Sequence, residues 1–160
     1  RPDGTVGYTY LKTQTWYPTR SDGVIQAVET PCGTLSSVVC FDLDVPHWIR
    51  QTAAMDVDIL LVPAFDTRPI SPYHTEAGLF RAVEGGFSIV RGVNQGTSMA
   101  VDPMGRVLAL QDFFRSPDPI LYVDVPTRAQ RTVYGMLGDW FPLGSPLLLL
   151  AVGWLGRRRD

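Results

Sequence analysis

DILLVPAFDTRPISPYHTEAGLFRAVEGGFSIVRGV, residues 58–93, holds the pattern that decides the fold. Asp58-Ile-Leu-Leu-Val62 is a short continuous apolar run and reads as a buried strand. Residues 63–71 read as a loop. Residues 72–84 then carry helical text that stops at Gly85-Gly86, a pair suited to a left-handed helix end. Residues 87–93 return to β-rich text. Downstream come the turn Asn94-Gln95-Gly96, a strand over 97–101, the turn Asp102-Pro-Met-Gly105, and strands over 106–111 and 120–125, which read as hairpins. Upstream, residues 34–40 are a short β-rich run, and Asp44-Val-Pro46 opens a helix over 47–55, with Asp44 as its cap and Asp42 as a possible second cap. Nearer the start, residues 4–10 and 24–29 read as strands joined by a polar loop over 13–23, with Lys12 at the first strand's exit. Strands, helices and then a β-meander predict a layered α/β (α+β) fold whose sheet is buried on at least one face.

Composition narrows the function. The 160 residues carry 14 Lys plus Arg against 16 Asp plus Glu, a net charge of −2, and 45% hydrophobic residues. There is no basic stripe to neutralise a phosphate backbone, so no nucleic-acid partner is expected. Two cysteines, Cys32 and Cys40, and two histidines, His47 and His74, form no zinc-ligand spacing, so no metal is expected. A Cys32–Cys40 disulfide across the Pro31-Cys32-Gly33 turn would be a weak staple for a domain of this size. The chain starts at Arg1 and has no initiator Met, which suggests a piece of a longer or processed protein.

The C-terminus differs from the rest. Residues 141–155 carry no charge and are followed by Arg157-Arg-Arg159, with Trp140 and Trp154 bracketing the run. A bilayer span needs roughly 20 apolar residues, so the run is short, but the flanking tryptophans and arginines suit a membrane interface with the arginines on the cytoplasmic side.

Of the fourteen cations only Lys12 is a lysine, a compact ammonium able to sit against a small anion. Cys40 ends a β-run just before a helix start, where open α/β sheets build ligand crevices, and is therefore a candidate nucleophile. Its neighbours Val38, Val39 and Phe41 equally suit a small buried hydrophobe. A thiolate attacking an amide or ester carbonyl needs a carboxylate base and a cation or N–H donors for the oxyanion, and Lys12 offers that cation. Arg81 and Glu84, three apart on a helix, read as a structural ion pair. His74 reads as a polar first-turn residue, and Asn94 and Ser98 as turn residues.

Several motifs together resemble the carbon–nitrogen hydrolase (nitrilase) superfamily over nearly the whole chain. Asp3-Gly-Thr-Val6 through Tyr10-Leu-Lys12 and Val38-Val-Cys-Phe-Asp42 resemble its lysine and cysteine motifs. Asp58-Ile-Leu-Leu-Val-Pro63, His74 with Phe80-Arg-Ala-Val-Glu84, Arg91-Gly-Val-Asn-Gln-Gly-Thr-Ser98 and Val101-Asp-Pro-Met-Gly-Arg106 follow in the order seen in the apolipoprotein N-acyltransferase branch. Thr132-Val-Tyr134 and Gly138-Asp-Trp140 before the apolar run resemble that membrane branch too.

The resemblance implies a four-layer α-β-β-α sandwich, incomplete at the N-terminus, with a C-terminal apolar helix. Residues 1–138 would be the C-terminal part of the hydrolase-like domain, and 139–160 a membrane-anchoring helix with a cytoplasmic basic tail. It implies Cys40 as nucleophile, Lys12 as stabiliser of thiolate and oxyanion, and Phe41, Asp42 and His74 as substrate-binding or supporting residues. No metal or cofactor is implied. The glutamate base of the family lies upstream of the lysine, and none of Glu29, Glu76 and Glu84 stands in its place, so the piece alone is expected to be inactive. The implied reaction moves an acyl chain from a phospholipid, through a Cys40 thioester, to the N-terminal amine of a lipoprotein at the outer face of a bacterial inner membrane. Pro18-Thr-Arg-Ser-Asp22 and Phe41-Asp42 depart from the family's usual Glu and Tyr-Glu and leave room for another acceptor. A soluble-type amidase or nitrilase acting on small amides or nitriles, and a degenerate scaffold domain, are the alternatives. Soluble relatives pair while membrane relatives are expected to act alone, so the oligomeric state stays open.

Overall fold

The computed structural model describes residues 3–14, 21–116 and 120–157. Six strands form one sheet in chain order, β1 (Ala27–Thr30), β2 (Gly33–Ser37), β3 (Ile59–Phe65), β4 (Ser88–Asn94), β5 (Thr97–Val101) and β6 (Val107–Asp112). β2, β3 and β4 run parallel, and the outer pairs are antiparallel. The parallel centre follows from the text quoted first, because the crossover between β3 and β4 carries a fifteen-residue helix, α2 (Ser71–Gly85). α2 packs across β4 and β5, and α1 (Pro46–Ala54) and the short α3 (Val133–Leu137) pack beside it.

The core lies between helices and sheet: Val38, Leu43, Ile49, Leu60, Val62, Ala82, Phe87, Ile89, Met99 and Val101 are buried together. Close approach is set by Gly78 of α2, where a Cβ would stand 3.1 Å from Met99 Cε and 3.5 Å from Leu43 Cδ2. Along β3, Leu60 and Val62 are buried while Leu61, Pro63 and Phe65 are exposed. The described residues thus supply one sheet and one helix layer of the expected four-layer sandwich. Helix α2 ends where expected, with Gly86 at φ +73°. No side chain fits there, since a Cβ would stand 1.8 Å from the carbonyl oxygen of Gln130, whose N–H donates to Gly86 O at 2.7 Å.

Four local expectations need correction. Residues 4–10 form no ladder and pack instead through contacts such as Gly7 against Val28. Residues 120–125 also join no ladder; the segment after them is tethered by bonds such as Ser88 Oγ donating to Pro126 O and Ala129 N donating to Asp58 Oδ1. The loop expected from Pro63 begins only after Phe65, because β2 leaves the ladder at Ser37↔Leu61 and Pro63, facing a vacated edge, loses no bond there. Neither Asp42 nor Asp44 caps α1, whose N-cap is Val45 with Pro46 in the first turn.

The C-terminal run forms helix α4 (Trp140–Arg157), with Leu143, Leu148, Leu149 and Leu150 exposed. Among the described residues no helix is long and apolar enough to cross a membrane. Arg158 and Arg159, most of the loop after Lys12 (residues 15–20) and Arg1 fall outside the described residues.

Candidate active site

β2 leaves the sheet at its C-terminal end through Val38, whose N–H still donates to Leu61 O at 3.2 Å and whose side chain is fully buried. Two residues later Cys40 takes φ +54°, a left-handed conformation that costs a non-glycine residue about 1–2 kcal/mol. It opens a 3-10 turn over Cys40–Asp44. Such strain persists only where the surroundings over-determine it. Here they do, residue by residue.

The Cys40 thiol is part-exposed and reaches the carbonyl oxygen of Phe65, the last residue of β3, at 3.6 Å. Cys40 and Cys32 are both free thiols, so the disulfide is not formed. Cys40 stands at the carboxyl ends of the parallel strands, where the crevice of an open sheet lies, rather than inside the core.

Asp42 is wholly buried. Its carboxylate accepts from Tyr10 Oη at 2.9 Å, Thr13 N at 2.9 Å and Gln14 N at 2.7 Å. Residues on both sides of Lys12 are therefore fastened to a side chain two positions from Cys40, although twenty-eight residues of sequence separate lysine and cysteine. The main chain of Lys12 is held further by Ser21 N donating to its carbonyl at 3.3 Å. Burial, countered by Thr13 and reinforced by the facing Asp42, pushes the Tyr10 hydroxyl well above its ordinary range, so Tyr10 stays a donor to Asp42.

Asp44, at the end of the turn, meets His74 Nε2 at 3.1 Å, and His74 Nδ1 meets Asp66 Oδ1 at 3.0 Å. Asp66 also takes both oxygens to Arg91 NH2, at 3.0 and 2.9 Å, and Arg91 NH1 donates to Thr97 O at 3.2 Å. Arg91 and Asp66 side chains are 1% and 0% exposed, so the ion pair is shut in the protein. Burial raises the Asp44 carboxyl above its usual range; His74, Arg91 and Arg81 pull it back, and Asp66 adds to the rise. The Phe41 ring lies 5.7 Å from the His74 ring. Arg81 pairs with Glu84 as expected for their spacing.

The structure thus gathers Cys40, Phe41, Asp42 and His74 around one turn and brings the Lys12 segment to it. His74 is a buried bridge rather than a polar first-turn residue, and Asp44 is its partner rather than a helix cap. Asp66 and Arg91 were not singled out from the sequence. A signal was available, since Arg91 sits in the apolar run Ser88-Ile-Val-Arg91, and a charge at a core position needs a buried partner. A cavity of about 310 Å³ lined by Ala53, Asp56, Gly85, Arg131, Thr132 and Met136 opens at the other end of the sheet and holds none of these groups.

The model of the carbon-nitrogen hydrolase family matches residues 5–133. This chain belongs to that family. Similar relatives include an apolipoprotein N-acyltransferase from Gloeobacter violaceus, 31% identical over 134 residues, covering 79% of this chain and 25% of the relative. Another, from Chlamydia trachomatis, is 29% identical and covers 94% of this chain and 30% of the relative. Among solved structures, an amidase from Nesterenkonia sp. superposes with a TM-score of 0.56 at 24% identity, over 64% of this chain and 45% of that one. A nitrilase-superfamily protein from Saccharomyces cerevisiae gives 0.54 at 19% identity, over 59% and 38%. These structures show the nitrilase-type fold. The chain spans about a quarter of the first acyltransferase and less than half of the amidase.

Proposed function

We propose that this carbon-nitrogen hydrolase family chain carries the nucleophile of a membrane-associated acyltransferase that moves a phospholipid acyl chain, through Cys40, to the N-terminal amine of a lipoprotein. The observation that carries the reading is the Asp42 clamp, which fastens the Lys12 segment to the Cys40 turn. Choice of the acyltransferase class over a plain hydrolase rests on relatives bearing that name and on the exposed apolar helix α4.

In this mechanism the Cys40 thiolate attacks the ester carbonyl, a C–S bond forms, and the negative charge moves to the carbonyl oxygen. The Lys12 ammonium stabilises that oxyanion, a contribution largest where charge develops in the transition state. Collapse breaks the ester C–O bond, and the lysophospholipid alkoxide takes the proton that the base removed from the thiol. The acceptor amine then attacks the thioester, a C–N bond forms, the C–S bond breaks, and the amine's proton passes to the base. The scheme takes as base the glutamate that the family carries upstream of the lysine; Glu29, Glu76 and Glu84 lie downstream of Lys12 on β1 and α2, so residues 1–160 alone are expected to show no turnover. The nucleophile-bearing domain sits on the outer face of the inner membrane, and residues 139–160 associate with the lipid.

An amidase is the second reading, favoured by the solved neighbours; one of them, a mutant of the amidase from Nesterenkonia sp. AN1, shows the result of Michael addition of acrylamide at the active site cysteine. The test is intact-mass analysis of the full-length protein, with the upstream glutamate of the scheme, incubated with phospholipid vesicles or with a small amide. Acyl transfer predicts an adduct of fatty-acyl mass that Cys40→Ala abolishes and Cys32→Ala leaves. An adduct from the small amide alone supports the amidase, and no adduct from either supports a scaffold domain.

A further inference from the structure

Both aspartates of the Cys40–Asp44 turn are anchored, but the anchors differ in kind. Asp42 holds main-chain N–H groups and a hydroxyl, whereas Asp44 is held by a ring with two nitrogens. We propose that His74 is a positioning residue for Cys40, acting through the Asp44–His74–Asp66 bridge that ties the nucleophile's turn to the end of β3. This rests on the reading of Cys40 as nucleophile.

The bridge imposes a proton count. Both ring nitrogens of His74 face carboxylate oxygens, at 3.1 Å for Asp44 and 3.0 Å for Asp66. A neutral imidazole has one N–H, and an ionised carboxylate only accepts. The Nδ1 contact to Asp66 is a hydrogen bond and the Nε2 approach to Asp44 is a charged-pair contact, which is attractive only while His74 and Asp44 share one further proton. Arg91 NH2 already engages both Asp66 oxygens, so the further proton is assigned to His74 and Asp44. The other groups in range are Arg81, paired with Glu84, on the histidine's own helix, and the uncharged Phe41 ring. Once the shared proton leaves, the Nε2 lone pair faces a carboxylate and the link to the turn opens. Cys40, held at φ +54° by its surroundings, then loses one of its restraints.

The experiment measures the iodoacetamide alkylation rate of Cys40 in the full chain by peptide mass mapping, with exposed Cys32 as internal control. His74→Ala is expected to slow Cys40 by about tenfold to a hundredfold, the range for displacement of a reacting group by about an ångström, and to leave Cys32 unchanged. Asp44→Asn is expected to keep the neutral-pH rate, because the amide donates to Nε2 of a neutral ring whose Nδ1–H serves Asp66. An unchanged Cys40 rate in folded His74→Ala, or Asp44→Asn as slow as His74→Ala, overturns the proposal. Should His74→Ala unfold by circular dichroism, Asp44→Asn against Asp44→Ala decides in the same terms, equal rates in the two counting against it. Acyl-adduct formation is scored separately: its absence while alkylation still follows His74 overturns acyl transfer and leaves the role of His74 standing.

Discussion

The two ends of the parallel strands are both closed by aspartates, and the aspartates do different work. At the carboxyl ends, Asp42, Asp44 and Asp66 hold side chains that ionise or donate: Tyr10, His74 and Arg91. At the amino ends, Asp58 accepts from Thr34 N at 2.8 Å and Ala129 N at 2.7 Å, and Asp102 accepts from Met104 N and Arg106 N, both at 2.9 Å. The second set is fastened mainly to backbone N–H groups, with the Arg106 side chain added on Asp102 at 2.6 Å, and makes a frame; in the first set only Asp42 also holds main-chain N–H groups, those of Thr13 and Gln14. The first set orients groups whose charge or position can change, which is what a reacting end needs. The cavity of about 310 Å³ lies at the framed end, away from the Cys40 turn.

Asp42→Ala breaks this comparison most sharply. It removes the acceptor of three donors at once and frees the segment that carries Lys12. The expected loss is about a hundredfold in the rate of Cys40 acyl-adduct formation, measured by rapid-quench mass analysis in the full chain, because the oxyanion cation is no longer placed. A rate within twofold of wild type would mean that Lys12 is placed by something else.

Asp58→Ala is the matching change at the framed end. Two backbone N–H groups lose their acceptor, at a cost of about 1–3 kcal/mol in a urea melt, while the Cys40 alkylation rate stays at the wild-type value. If the rate falls with the stability, the two ends are coupled and the division fails.

The same division explains what the sequence made legible. Strand, helix and hairpin over residues 58–111 follow from apolar runs and Gly-, Pro- and Asn-rich turns, which are local signals, and the structure has them with shifts of a few residues. Residues 4–10 and 120–125 are apolar enough to read as strands, yet neither has a ladder partner, and pairing is a tertiary property. At the site, the cysteine and lysine were readable because each is unusual in its context. The tie between them was not, because Asp42 and Asp44 sit beside a helix start, where local rules assign aspartate to capping. Their actual partners lie 28 to 32 residues away for Asp42, and on α2, at His74, for Asp44. Only Arg91, a charge amid core residues, announced that a buried carboxylate had to exist.

The smallest effect sharpens the framed end further. Burial alone would raise the Asp102 carboxyl, but the Arg106 N–H, the Arg106 side chain and the Met104 N–H outweigh it and hold it below the ordinary value of 3.8. An aspartate held low in the folded state adds stability that is present above the unfolded value and lost as pH falls through the folded one. The turn joining β5 to β6 should therefore loosen only on acidification below about pH 4. In Asp102→Asn the amide keeps one acceptor oxygen and cannot titrate, so its urea midpoint is expected to fall less than that of the wild type between about pH 5 and about pH 3. Parallel acid curves for the two proteins would mean that Asp102 contributes no charge to the turn. The framed end would then be held by hydrogen-bond geometry alone, and ionisation would matter only where Cys40 stands.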